Sequence, residues 1–468
     1  MPLAGQIASI GMSRAALVVA SNRGPLSFSL DERGDPVPSG SSGGLAGALH
    51  LVVAGSDAAW VACVMSEADR KAAAAGLMAA EGVQLVTVEP DPDTYRMAYD
   101  VVSNATLWYL HHLLFDLSRR PRLDRHWHEA WSAYRTFNAL FAQAIDEVAA
   151  RGATVLVQDY HLSLVPGLLA SRRPDLDVVH FTHTPFADPA TLRVLPVAAR
   201  TELLDGLAAA RRCGFHTERW AAAFRACCAD SGIAPPPTFV SPLAPDAPLL
   251  TQRAGAPTVA AARAQLDAVV GGRKLVLRVD RVDPAKNQLR GFWAFDELLE
   301  REPSLRGEVV LVALAYPSRQ SLPDYQAYAA EIEHTAAVVN ERWGDGQWQP
   351  VILDVADDPD RSFAALTRYD VLLVNPIRDG LNLVAKEGPL VNQVDGVVAL
   401  SQEAGSFEEL RSAVVALNPY DVSGTAEALA HALAMDGAER ARRAAELRRL
   451  VTARTPRDWL SDQLDLRG

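Results

Sequence analysis

Short runs of β-branched and aliphatic residues alternate with long Ala-, Leu- and Arg-rich segments along the whole chain. In the first half they are ALVVASNR from Ala16, AWVACV from Ala59, VQLVTVE from Val83, ATVLVQDYH from Ala153, DVVHFTH from Asp177, RRCGFHT from Arg211 and TFVSPL from Thr238. In the second half they are KLVLRVD from Lys274, EVVLVALA from Glu308, QPVILDV from Gln349, DVLLVNP from Asp370, GVVALSQ from Gly396 and AVVALNP from Ala413. Strands that are apolar on both faces and are separated by helical segments predict parallel sheets covered on both sides, which is the α/β class. There are too many strands for one comfortable sheet. The Pro/Ala-rich stretch PLAPDAPLLTQRAGA, 242–256, reads as a linker. It divides the chain into two facing, Rossmann-like, doubly wound domains, 1–245 and a second from 256. Ligands of such sheets sit beyond the carboxyl ends of the strands. The residues to weigh are therefore Asn22 and Arg23, Asp159 to His161, His183, His216, Arg281 to Lys286, Arg319, Asp379 and Glu387.

Composition narrows the partners. The chain has 468 residues, 49% hydrophobic and 22% charged, with a net charge of -12. That acidity argues against nucleic acid or an anionic membrane as a general partner, so any anion must be held locally. Cys63, Cys213, Cys227 and Cys228 form no paired zinc spacing. The N-terminal stretch has no apolar core of signal-peptide length, and no run approaches the roughly 18 residues that would span a bilayer. A soluble, cytoplasmic protein is expected, and its oligomeric state, a homo-oligomer included, stays open. Of 45 basic residues only Lys71, Lys274, Lys286 and Lys386 are lysines, and two of them fall in the two most motif-like segments.

The first of those segments is NPIRDGLNLVAKEG, from Asn375. A strand that ends in a Gly-containing turn and opens a helix aims main-chain amides at one spot, which suits a phosphate. Gly380 permits close approach, the amides of Leu381, Asn382 and Leu383 face the anion, and Glu387 accepts from a ribose diol. The second is RVDRVDPAKN, where Arg281 and Lys286 flank a Pro-containing turn and reach one diphosphate; the alternative is a solvated charge pair with Asp280 or Asp283. Asp159 and His183 stand at neighbouring strand ends; each alone is more often a capping Asp or a hydrogen-bonded histidine than a catalytic group, and only together do they become candidates for the chemistry. The acidic stretches 91–93 and 357–360 look like turns. No metal and no other cofactor is required, so a diphosphate leaving group needs fixed cations and helix N-termini.

The motifs RDGLNLVAKE, DRVDPAK, QDYHLSLVP, HTPF, GFHT, SNATLWYL and YPSR resemble those of the trehalose-6-phosphate synthase family of retaining glycosyltransferases. The likeness runs from VVASNRG to NPYDVSGTAEALAHALAM, nearly the whole chain. It implies the GT-B architecture with an inter-domain cleft, a nucleotide-sugar domain at 256–445, and a segment 446–468 crossing back to the acceptor domain. It implies transfer of glucose, with retention, from a nucleoside-diphosphate glucose to glucose 6-phosphate by front-side attack. On this resemblance Arg281 and Lys286 hold the diphosphate, Glu387 the ribose, and Asp379 the donor sugar. Asp159 and His183 contact the reacting sugars, Arg23, Tyr99, Trp108 and Arg319 bind the acceptor, and Gly44 belongs to the N-terminal loop. Three departures stand out: Cys63 in place of a second Trp, Pro284 and Asn287 in VDPAKN, and KEGPLVN in place of KEYVA. The last two resemble relatives that couple cyclitols using guanosine donors. They tip the expected donor toward GDP-glucose over UDP-glucose and leave a cyclitol-coupling pseudo-glycosyltransferase, or a catalytically silent nucleotide-sugar sensor, as alternatives.

Overall fold

The computed structural model describes residues 5–8, 14–41, 57–75, 77, 79–80 and 83–465. They belong to two compact units, Met1–Leu243 with Pro456–Gly468, and Ala244–Thr455. The stretch read as a linker instead contains a helix, Ala247–Ala254, because Asp246 caps it by accepting from the Leu249 amide at 2.9 Å. The proline that looked like a breaker sits in the first turn, where no amide is needed.

The sheet of the first unit contains β1 (Gly5–Ala8), β2 (Ala15–Ser21), β5 (Ala59–Cys63), β6 (Ala79–Ala80), β7 (Val83–Pro90), β8 (Ala149–Gln158), β9 (Asp177–Thr182), β10 (Arg212–Phe215) and β11 (Thr238–Val240). Its order is β1-β7-β5-β2-β8-β9-β10-β11, with β6 paired to β7. Among the described strands of this sheet, only β1 and β6 run antiparallel to their neighbour. A separate hairpin joins β3 (Leu26–Leu30) and β4 (Pro36–Ser41). The second unit holds β12 (Lys274–Arg281), β13 (Val309–Tyr316), β14 (Val351–Val355), β15 (Val371–Val374), β16 (Val397–Ser401) and β17 (Val415–Leu417). All are parallel, in the order β14-β13-β12-β15-β16-β17.

In both sheets the strand order reverses beside the first core strand, between β2 and β8 in one and between β12 and β15 in the other. These are the switch points at which loops diverge and leave a crevice. The second sheet shows why its strands read as unbroken apolar runs. Leu275, Leu277 and Val279 point into one core with Val310, Val312 and Leu372. Val276 points into the other with Leu311, Leu373, Phe292 and Phe295, the two phenylalanines coming from helix Gln288–Arg301.

Met97–Leu107 is a π-helical segment, in which Ser103 Oγ donates to Ala98 O at 2.9 Å and Thr106 Oγ1 to Val101 O at 2.8 Å, each five residues back. It runs into the helix Trp108–His112, which ends at Leu113 in the left-handed conformation, φ 57°. Helix Pro456–Leu464 belongs to the first unit although the whole second unit precedes it in the chain.

Candidate functional site

In the first unit the residues singled out from sequence follow β2, β8, β9 and β10 or lie on the segment Met97–His112. Ser21 Oγ donates to Arg23 O at 2.7 Å and accepts from Trp60 Nε1 at 2.8 Å, so the turn leaving β2 is pinned from beneath. Arg23 itself is exposed. With Gly24, Cys63, Met65, Ser66 and Asp69 it lines a cavity of about 270 Å³. Cys63 is thus beside Arg23, and burial first, then Asp69 and Glu89, push its thiol far above the ordinary range. Tyr99 stacks on His161 at 5.7 Å and on Tyr95 at 5.1 Å. Trp108 is buried and stacked on His112, with ring centroids 3.7 Å apart. Gly44 lies outside the described residues.

Asp159 follows β8 with φ 71° and ψ 170°, a conformation that a residue with a Cβ adopts only when its surroundings hold it there. Here its amide donates to Phe181 O at 2.7 Å, its carbonyl accepts from His180 Nε2 at 3.2 Å, and Oδ1 accepts from the His183 amide at 3.1 Å. Asp159 and His183 are therefore one structural piece. Both nitrogens of the His183 ring have partners: His216 Nε2 at 3.1 Å from Nδ1, and Gln158 Oε1 at 2.9 Å from Nε2. The directions follow from one main-chain group. The Leu243 amide can only donate, so His216 Nδ1, 3.3 Å away, is an acceptor and the His216 proton is on Nε2. That proton goes to His183 Nδ1, leaving His183 with its own proton on Nε2, donated to Gln158. Burial, then the neighbouring His216 and His180, hold His183 well below the ordinary imidazole range, so the ring is neutral.

In the second unit the loops after β12 and β15 meet. Lys286 ends a 3₁₀ turn, Pro284–Lys286, and its Nζ lies 2.5 Å from Asp379 Oδ2. Burial pulls the ammonium down most strongly, but the charge and hydrogen bond of Asp379 together with the Asp280 charge outweigh it, and Lys286 ends above its ordinary value. Asp283 is fully buried: Oδ1 caps the turn at Ala285 N, 3.0 Å, while Oδ2 meets Arg319 Nη1 at 2.8 Å and Arg281 Nη2 at 3.7 Å. Arg319, expected at the acceptor, thus shares one carboxylate with Arg281 and also donates to Tyr325 Oη at 2.7 Å.

The β15 loop is held by close backbone packing. Asp379 N donates to Glu403 O and Gly405 N to Asp379 O, and a Cβ on Gly405 would fall 1.9 Å from Gly380 O. Asp379 also accepts from Asn382 Nδ2 at 3.2 Å, and the Leu381 amide lies 3.4 Å from its Oδ1. Leu383 then opens helix Val384–Val391 without a side-chain cap. On that helix Glu387 is pushed up to about 7 by burial, with Arg253 opposing. Lys386 is buried against Glu409 at 2.9 Å, a structural ion pair rather than a surface charge.

Several departures have structural explanations. Asn287 takes the left-handed conformation, φ 59°, that a glycine would otherwise supply, and its Nδ2 donates to Asn375 O and Pro419 O. Asn392 donates to Tyr369 O and accepts from the Val394 and Gly396 amides. Both acidic stretches read as turns are helix starts, with Asp91 and Asp358 as the capping residues. Asp354 pairs with Arg361. Among the described residues no three His, Cys, Asp or Glu side chains are grouped to hold a metal ion, and no helix is long and apolar enough to cross a membrane.

Sequence reasoning missed Arg278. Only 1% exposed inside β12, it pairs with Asp280 and donates to Lys286 O at 2.9 Å, bracing the 3₁₀ turn from below. An arginine interrupting the apolar run Leu275–Val279 was the signal. Gln158, one residue before Asp159, was also passed over.

Two doubly wound units, each with its polar and charged residues at the switch point, are the GT-B class of glycosyltransferase. The family model Glycosyltransferase family 20 matches residues 15–233 and 237–466, and the chain belongs to that family. It is 33% identical to a trehalose-6-phosphate synthase of Mycobacterium sp. (strain JLS), covering 97% of each chain. It is also 33% identical to the enzyme of that name from Mycobacterium avium (strain 104), covering 96% of this chain and 94% of the other. An alpha,alpha-trehalose-phosphate synthase (UDP-forming) from Burkholderia xenovorans, in complex with glucose-6-phosphate, superposes with a TM-score of 0.83 at 26% identity, over 97% of this chain and 100% of that one. An E. coli structure bound with UDP-2-fluoro glucose gives 0.81 at 27% identity, over 96% and 98%. The chain is a retaining glycosyltransferase.

Proposed function

We propose that the protein is an alpha,alpha-trehalose-6-phosphate synthase, transferring glucose from a nucleoside-diphosphate glucose to the 1-hydroxyl of glucose 6-phosphate with retention. The observation that carries the reading is the Lys286–Asp379 pair at the β12/β15 switch point, with Arg281 at the end of β12. Lys286 and Arg281 are fixed cations for a diphosphate whose charge grows as the bond to glucose breaks, and a fixed cation stabilises the transition state more than the ground state. Asp379 is then placed to accept from donor hydroxyls, and Glu387 from the ribose diol. In the first unit, Arg23 at its cavity, with Tyr99, is the proposed acceptor-phosphate side, and Asp159 and His183 face the reacting sugars. Trp108 and Arg319 complete the acceptor set in this proposal, and Gly44 the donor loop. His183 is neutral with both ring nitrogens engaged, so it serves as a fixed surface and not as a proton carrier.

The sequence leans to GDP-glucose through Asn287 and Asn392, but both side chains are committed to main-chain hydrogen bonds. The base is therefore assigned by assay. Release of nucleoside diphosphate is followed with glucose 6-phosphate and, in parallel, GDP-glucose or UDP-glucose. Formation of trehalose 6-phosphate with either donor is expected. No transfer with either would overturn the reading, and a preference of tenfold or more in kcat/KM, about 1.4 kcal/mol, assigns the base.

A further inference from the structure

The polar chain through His183 does not end at Gln158. Gln158 Nε2 donates to Gln463 Oε1 at 3.0 Å, joining residues 305 apart in the sequence. Gln463 and Gln158 are both fully buried. Arg212 Nη2 donates to Gln463 O at 2.7 Å, and Asp462 Oδ2 accepts from Ser241 Oγ at 2.7 Å, so helix Pro456–Leu464 is tied to the ends of β10 and β11. Trp459 lies against both Phe181 and His183, at 5.3 Å and 5.6 Å between ring centroids.

We infer that Gln463 is a positioning residue for the reaction, acting through the Gln158 amide to hold His183 in its Nε2-protonated tautomer and in one ring orientation. The argument is directional. A primary amide presents one acceptor oxygen and a donor nitrogen. With Gln463 Oε1 taking the Nε2 proton of Gln158, Gln158 Oε1 is the atom left to face His183. Without that acceptor the Gln158 amide can rotate by half a turn and offer its NH₂ to His183, which would require the opposite tautomer and conflict with the proton arriving from His216 Nε2. The Leu243 amide at one end of the hydrogen-bond chain and Gln463 at the other thus agree on which nitrogen of a histidine beside Asp159 carries the proton. Interior amide networks of this kind are most costly when half satisfied.

The inference rests on the reading that His183 faces the reacting sugars, but its main test does not. In the wild-type protein, ¹⁵N NMR of labelled histidine, with His183 assigned by loss of its signals in His183→Gln, should show the Nε2–H tautomer; an Nδ1–H tautomer would overturn the relay whatever the substrates. Gln463→Met removes the acceptor at similar volume and should give mixed His183 tautomers with kcat down about tenfold and KM for both substrates within twofold. Gln463→Glu keeps an acceptor oxygen and should retain the single tautomer and most of the activity. Asp462→Asn weakens the tether to Ser241 without touching the relay and should leave the tautomer unchanged. A wild-type-like Gln463→Met, or an equal change in Asp462→Asn, would reduce Gln463 to a docking contact. Inactivity of the wild type with the proposed substrates would instead count against those substrates alone.

Discussion

Glu387 makes the proposed function sensitive to pH through one carboxyl. Its folded value is about 7 against 4.5 for an ordinary glutamate. Between those values the native state holds a proton that the unfolded chain has released, so stability falls as pH rises through that window and the full penalty is present above it. Removing the ionisable group in Glu387→Gln should therefore flatten the decline in Tm between pH 5 and 8 relative to wild type. His183 shifts in the opposite sense, and comparing the two proteins at each pH cancels it. Donor binding should run the other way: the ionised carboxylate is the better acceptor for a ribose diol, so donor KM should fall as pH rises through about 7 in wild type and stay level in the variant. If the two Tm profiles coincided, the perturbed carboxyl would be misassigned. Among the residues singled out from sequence, Asp159 and His183 are hydrogen-bonded to one another, as are Lys286 and Asp379. The environments that set their charge states were not legible, because the neighbours come from far along the chain: Arg253 for Glu387, Asp379 for Lys286, His216 for His183.

At the scale of elements, the turn that carries Lys286 depends on the helix that follows it. A Cβ on Gly291 would lie 2.2 Å from Arg278 Nη1, in the space the buried guanidinium occupies as it reaches Lys286 O. Gly291→Ala should cost about 1–3 kcal/mol of overpacking, against at most about 1 kcal/mol gained from helix propensity. Urea unfolding should show a net loss, with kcat reduced as Lys286 is displaced; unchanged stability would mean that Arg278 has room to move. The core strands read from sequence all formed, since a parallel strand buried on both faces is apolar at nearly every position. The β3/β4 hairpin was missed because only Phe28 of β3 is buried, so no apolar run marks it, although the alternation in LSFSL before a Gly-containing turn was available. Arg278 went unread for the opposite reason: its burial is tolerable only because Asp280 and the bare Gly291 are brought to it by packing.

At the scale of the whole molecule, the first unit is completed by residues that follow the second. Trp459 is fully buried, edge-on to Phe181. Trp459→Ala should cost about 3–5 kcal/mol, as truncations of large buried aromatic residues do. Hydrogen exchange should show lost protection in β8, β9 and β10 while β12 to β16 keep theirs; protection lost equally in both units would contradict this assignment. The same connectivity bears on how the protein is made. A ribosome delivers the sheet of the first unit, then spends the next 212 residues, Ala244–Thr455, on a different body. At roughly 5–20 residues per second, that interval lasts on the order of ten to forty seconds. Through all of it Phe181 and His183 await the tryptophan that covers them, and Gln158 awaits its partner. A nascent chain in that state leaves those groups uncovered, and it completes the first unit only after Ala244–Thr455 has been made.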